Sequence, residues 1–262
     1  MIIKILLSLR IEILKIYKSR IFWITIASSC LVAFILGLMM LLVKNPDLLA
    51  PGLLKTKVSI AAIKADWPSY IGFINMASGA IGIILFGFAA SWIFGREFND
   101  KTLKDLLALP VSRTVIVLSK IIAVSLWCII LSTIIFTLSL LLGWLVQLPL
   151  WSLDLIPDFI ITFFISAFLS ILLCPPVAFI ASLGRSYLPA IGFLVLCMGL
   201  ANLFGNIGLG AYFPWTIPMI YTGAVGADAS RLPLASYIII SLTSFAGILG
   251  TVFYWEYADH SS

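Results

Sequence analysis

Six long apolar runs, roughly Ile21–Val43, Tyr70–Phe94, Thr114–Val146, Ile156–Leu183, Ser186–Asn206 and Leu234–Tyr257, decide what this chain can fold into. Each reaches or exceeds the about 20 residues that a helix needs to cross the hydrocarbon core of a bilayer. In lipid, backbone amides find partners only within a helix or around a closed barrel. The runs lack the period-two alternation of barrel strands, so they are read as helices. Of the 262 residues 62% are hydrophobic and only 10% charged, a balance far from soluble usage. The expected fold is an all-α polytopic membrane protein, with residues 1–262 forming one transmembrane domain of six spanning helices.

Local features refine this picture. Residues 1–20 mix Leu and Ile with spaced Lys and Arg, as a helix lying in the membrane interface does. The first apolar run is too long for the core of a cleaved signal, so it is expected to remain as the first span. Gly87, Ser91 and Gly95 keep a small-xxx-small spacing that lets a neighbouring helix approach closely. Pro175-Pro176 fall inside the fourth run and are expected to bend it.

Basic residues set the expected orientation. Lys4, Arg10, Lys15, Lys18, Arg20, Arg96, Lys101, Lys104, Arg113, Lys120 and Arg185 fall on one side of the membrane, against Lys44, Lys55, Lys57, Lys64 and Arg231 on the other. The richer side is assigned to the cytoplasm of a cell membrane, which makes both termini cytoplasmic. The net charge of +5 then belongs to topology and lipid contact, and no basic aromatic patch suited to nucleic acid is present.

Several chemistries are excluded or disfavoured. Cys30, Cys128, Cys174 and Cys197 lie in different apolar runs without C-x-x-C spacing and read as small buried hydrophobes. His260 is the sole histidine, so an H-E-x-x-H metal site cannot be built. The stretches Lys120–Asp154, Asp158–Arg185, Arg185–Asp228 and Arg231–Glu256 carry no internal charge, unlike the acid-bearing spans of ion-coupled carriers. No G-x-x-x-x-G-K-[ST] phosphate loop occurs, so energy for any active transport must come from elsewhere.

The long polar interruption is Gly95–Arg113. Glu97 with Lys101, and Asp100 with Lys104, are i,i+4 pairs in the favoured sense. Thr102 and Asp105 have capping-box spacing ahead of Leu106-Leu107-Ala108-Leu109, while Pro110 ends that helix and Ser112 is placed to cap the third span. A short amphipathic helix between two spans follows. Lys120 is ambiguous, since it can snorkel to the interface.

The pattern G-R-E-F-x-x-x-T-L-K-x-L-L-A-L-P-V-S-R, with a lysine seven residues later, resembles the loop after the second helix in permease subunits of ABC-2-type ATP-driven transporters, in particular six-helix permeases of the bacitracin and peptide-antibiotic exporter kind. The resemblance implies that residues 95–113 form a cytoplasmic coupling segment that docks on a separate ATP-binding subunit. It implies contact through Arg96, Glu97, Asp100, Lys101, Thr102, Leu103, Leu106, Leu107, Pro110, Ser112 and Arg113. Residues 207–233 resemble the family's external, partly re-entrant segment, with Phe213, Pro214, Trp215 and Pro218 as gate candidates beside the plainer reading of an aromatic belt.

No cofactor is then expected on this chain; ATP and Mg belong to the partner ATPase, and a second permease copy and membrane lipid complete the partners. The implied function is outward movement of an amphiphilic or hydrophobic cargo such as a peptide antibiotic. The alternatives are a scaffold or sensor subunit without transport, and a membrane-embedded enzyme using Glu97, Asp100 or Asp105.

Overall fold

The computed structural model describes residues 2–45, 64–102, 111–225 and 232–257, and among these the secondary structure is entirely helical. Helix α1 (Ile2–Tyr17) leads into α2 (Arg20–Lys44), followed by α3 (Trp67–Asn99) and α4 (Arg113–Leu145). The fourth run folds as two pieces, α5 (Leu155–Ile171) and α6 (Cys174–Leu183). Then come α7 (Tyr187–Asn206), two 3-10 turns at Gly210–Tyr212 and Pro214–Thr216, the short α8 (Ile217–Tyr221) and α9 (Leu234–Tyr257). Among the described residues, six helical stretches, taking α5 and α6 together, are long and apolar enough to cross a membrane.

Helix α3 is the axis of the bundle, packing against α4, α5, α6 and α7. Its most apolar window is 50% buried and that of α5–α6 is 56%, whereas α2 and α7 reach only 22%. The outer helices turn Trp23, Leu31, Phe34, Val195, Leu196, Leu242 and Phe245 outward, as lipid-facing helices must. Side-chain size sets the close contacts. A Cβ on Gly87 would meet Leu194, and one on Gly95 would run into the backbone of Tyr187 and Ser186. The small-residue stripe of α3 therefore seats α7, and Ser91 between those glycines is fully buried.

The expected bend at Pro175-Pro176 is a break between two helices. Neither proline has an N–H to donate, so the carbonyls four residues earlier, on Ile171 and Leu172, lose their helical partners. The prolines instead open α6 at its N-terminus, where the missing donors cost nothing. Gly247 of α9 packs on this backbone, and a Cβ there would strike Pro175 and Pro176.

Helix ends follow a shared device. In α3, Lys101 adopts φ 56°, its N–H bonds the carbonyl of Phe98, and the Thr102 N–H bonds that of Glu97. This is a Schellman turn with lysine where glycine is usual. The same pattern closes α4 at Gln147 (φ 53°) and α6 at Arg185 (φ 49°). No glycine marks these three left-handed positions in the sequence.

Candidate functional site

Helix α3 does not stop where its apolar run ends at Phe94; it continues to Asn99 and so brings Arg96 and Glu97 into the bundle. Both are buried, at 8% and 2% exposure. Helix α4 brings Lys120, fully buried, and α1 lies against α4 and supplies Glu12, at 2%. Lys15, one turn further along α1, reaches the same point from a half-exposed position.

These five side chains form one ion cluster. Lys120 Nζ lies 2.8 Å from Glu97 Oε1 and 3.1 Å from Glu12 Oε1. Arg96 Nη2 lies 3.1 Å from Glu12 Oε2, and its Nε lies 3.4 Å from Glu97 Oε1. Lys15 Nζ approaches Glu97 Oε1 to 3.2 Å. Three cations thus share two carboxylates. Burying charges is costly unless each has close, hydrogen-bonded partners, and removing one member leaves the others exposed to that cost. The arrangement therefore holds α1, α3 and α4 in one mutual position.

Two neighbours tighten it. The Arg96 guanidinium lies 4.6 Å above the Trp92 ring, a cation–π contact, and Trp92 meets Trp127 edge-on. The Thr102 hydroxyl donates to Glu97 Oε2 at 2.7 Å, while the Thr102 N–H bonds the Glu97 carbonyl. Through both bonds, Glu97 sets the direction in which the chain leaves α3.

On the far side of residues 103–110 the chain is held differently. Arg113 Nη1 donates to the carbonyls of Trp255 and Glu256, at 2.8 and 3.0 Å, and Thr114 bonds the Glu256 carboxylate. A cation at the C-terminus of α9 satisfies carbonyls that have no partner in their own helix and complements the helix dipole.

The site residues expected from sequence thus separate. Arg96, Glu97 and Thr102 meet in or at the cluster; Asp100 and Lys101 are exposed at the end of α3. Ser112 holds the N-cap position of α4 without the side-chain hydrogen bond expected of it, and Arg113 caps α9. Leu103, Leu106, Leu107 and Pro110, with Lys104, Asp105 and the expected short helix, lie outside the described residues.

Two expectations need correction. Glu97 does not pair with Lys101, because the left-handed turn at Lys101 ends the helix on which i,i+4 spacing depends, and both Glu97 oxygens are occupied by other groups. Lys120 does not snorkel; Glu12 and Glu97 hold it inside.

Glu12 escaped the sequence reading altogether. Its signal was present: it is the sole acid among the first 46 residues, three before Lys15 and on the same helical face as Ser8 and Ile16. Ser8 bonds Ser119 of α4 at 2.7 Å, on the same side of α1.

At the other end of the bundle, Trp215 and Pro218 are buried and Phe213 and Pro214 are half-buried. Trp215 packs edge-on against Phe193, and Phe213 stacks on Phe204, both rings from α7. Helix α8 follows and packs against α3 and α5.

A family model described as an ABC-2 family transporter protein matches residues 8–202. This chain belongs to the ABC-2 transporter family. The matched stretch contains every member of the ion cluster and ends before Phe213. The bacitracin transport permease protein BCRB of Bacillus licheniformis is 29% identical over 180 residues, covering 68% of this chain and 86% of that protein. As an ABC-2 permease the chain is a multi-pass membrane subunit of a transporter rather than an enzyme.

Proposed function

We propose that this ABC-2 permease couples ATP hydrolysis on a separate subunit to outward movement of an amphiphilic or hydrophobic cargo. ATP and Mg²⁺ bind the partner subunit in this reading, and two permease copies line the path. Residues 95–113 face the cytoplasm and carry the coupling helix, as the excess of basic residues at that end supports. Helix α1 lies in the interface there, its exposed Ile3, Leu6, Leu7 and Leu14 toward lipid and its buried Glu12 toward the bundle. A peptide antibiotic fits the cargo class, given the bacitracin permease among its relatives.

The observation that carries this reading is the buried cluster at the root of the coupling segment. A force applied to residues 103–110 enters α3 at Thr102, which is bonded to Glu97, and enters α4 at Arg113. Glu97 is tied to Lys120 of α4 and, through Lys15, to α1. Three membrane helices therefore receive a push on one loop as a unit instead of as independent rods.

The test is co-expression with the ATP-binding subunit and comparison of wild type, Leu106→Asp and Glu97→Gln. Leu106→Asp is expected to reduce co-purification. Glu97→Gln is expected to leave docking largely intact while lowering cargo-dependent ATP turnover. Normal assembly and normal turnover in both variants would defeat the coupling assignment.

A further inference from the structure

The end of the bundle opposite the ion cluster holds a cavity of about 460 Å³, lined by Trp67, Leu140, Trp144, Gln147, Leu148 and Trp151. Helix α3 separates the two sites, since its 33 residues span about 50 Å. Three of the chain's eight tryptophans gather here.

The walls differ in how firmly they are held. Trp67 is 4% exposed, its ring packs where a Cβ on Gly143 would be, and its backbone N–H donates to the Pro149 carbonyl at 3.1 Å. Trp151 meets it at a ring separation of 4.5 Å. Trp144 is 72% exposed and Trp151 47%. One rigid indole therefore faces two that stand open to the surroundings. Beside Trp144 on α4, Leu141 and Leu145 are also exposed, so the apolar lining runs on into the outer surface of the span.

The rim is cationic. Lys44 Nζ donates to the carbonyls of Val146 and Gln147, at 2.7 and 2.8 Å, which holds the ammonium beside the cavity with a third N–H that has no partner among the described residues. Gln147, whose backbone carbonyl accepts one of these bonds, also lines the cavity. Among the described residues, Asp66 accepts from the Ser69 N–H at the start of α3, Asp154 accepts from the Ser152 hydroxyl, and neither pairs with Lys44.

We propose that this cavity binds one anionic phospholipid, with an acyl chain between Trp144 and Trp151 and its phosphate on Lys44 and Gln147. Indole rings and lysine together suit the boundary between acyl chains and headgroups, where an apolar body and a charged tip are satisfied at once. The Lys44 ammonium, held at the rim without a carboxylate partner among the described residues, favours a negatively charged headgroup over a zwitterionic one. The inference needs only that the chain spans a membrane and does not rest on the coupling reading.

Native mass spectrometry of the full chain, titrated separately with phosphatidylglycerol and with phosphatidylcholine of matched chains, tests it. Wild type is expected to retain one phosphatidylglycerol in preference to phosphatidylcholine. Lys44→Gln and the Trp144→Ala, Trp151→Ala double variant should each weaken that retention about tenfold. Trp23→Ala, an exposed tryptophan on α2 near the other end, should leave it unchanged. Thermal melts identify variants that fail to fold, and the exposed Trp144 replaced by itself supplies a mild second test. Equal retention of the two lipids, unaltered retention in the cavity variants, or an equal loss in Trp23→Ala would each overturn the proposal.

Discussion

Replacing Glu97 by Gln and Lys120 by Met, singly and together, measures how far the buried cluster acts as one unit. Glu97→Gln leaves Lys120, Arg96 and Lys15 facing Glu12 alone. Lys15, 37% exposed, turns to solvent, but Arg96 and Lys120 are too buried to follow. Breaking a buried pair from one side costs about 3–5 kcal/mol. The remaining partners at 3.1 Å put this case at the lower end, about 3 kcal/mol.

Lys120→Met leaves two carboxylates sharing Arg96 and Lys15 at 3.1–3.6 Å, with a similar expected cost of about 3 kcal/mol. Independent effects would sum to about 6 kcal/mol in the double variant. Because the 2.8 Å contact joins the two groups, an interaction of about 2 kcal/mol is expected, which brings the double variant to about 4. Equilibrium unfolding in mixed micelles, followed by tryptophan fluorescence, gives all three values. A double variant within about 0.5 kcal/mol of the sum would refute the shared-charge account.

Further outcomes follow from packing and capping. Gly95→Val should destabilise the bundle by several kcal/mol, about 3 or more, because its Cβ meets the backbone of Tyr187, whereas Gly192→Ala, with open space around it, should be neutral or stabilising by up to about 1 kcal/mol in detergent melts. Arg113→Ala removes two charge-assisted bonds to the end of α9, and hydrogen exchange in its last turn should accelerate by about tenfold or more, consistent with a loss of about 1.5–3 kcal/mol. Trp255→Phe loses the indole bond to Ser182 at 3.0 Å and should lower stability by about 1 kcal/mol, while Trp215→Phe removes a buried N–H that has no partner among the described residues and should cost less.

The cluster was half legible beforehand. Gly95–Arg113 stands out because charge is rare in this chain; it contains Arg96 and Glu97, and Lys120 follows seven residues beyond it. Their partners were misjudged, because i,i+4 spacing predicts contacts only while the helix lasts, and α3 ends at Asn99 with a lysine in the left-handed position that glycine usually advertises. Pro175-Pro176 were recognised as a disturbance, but a proline pair reads equally as a kink or a break until the packing of Gly247 against them is known.

Membrane residence, helical secondary structure and the six spans were determined by sequence alone, because the length of an apolar run and the need to satisfy backbone amides in lipid are local properties. The loop pattern also disclosed the family, since it too is contiguous. Which charges meet was decided only by tertiary structure. Glu12, Glu97 and Lys120 come from three helices, and their energies depend on distances of about 3 Å in a site closed to water, neither of which a linear spacing contains.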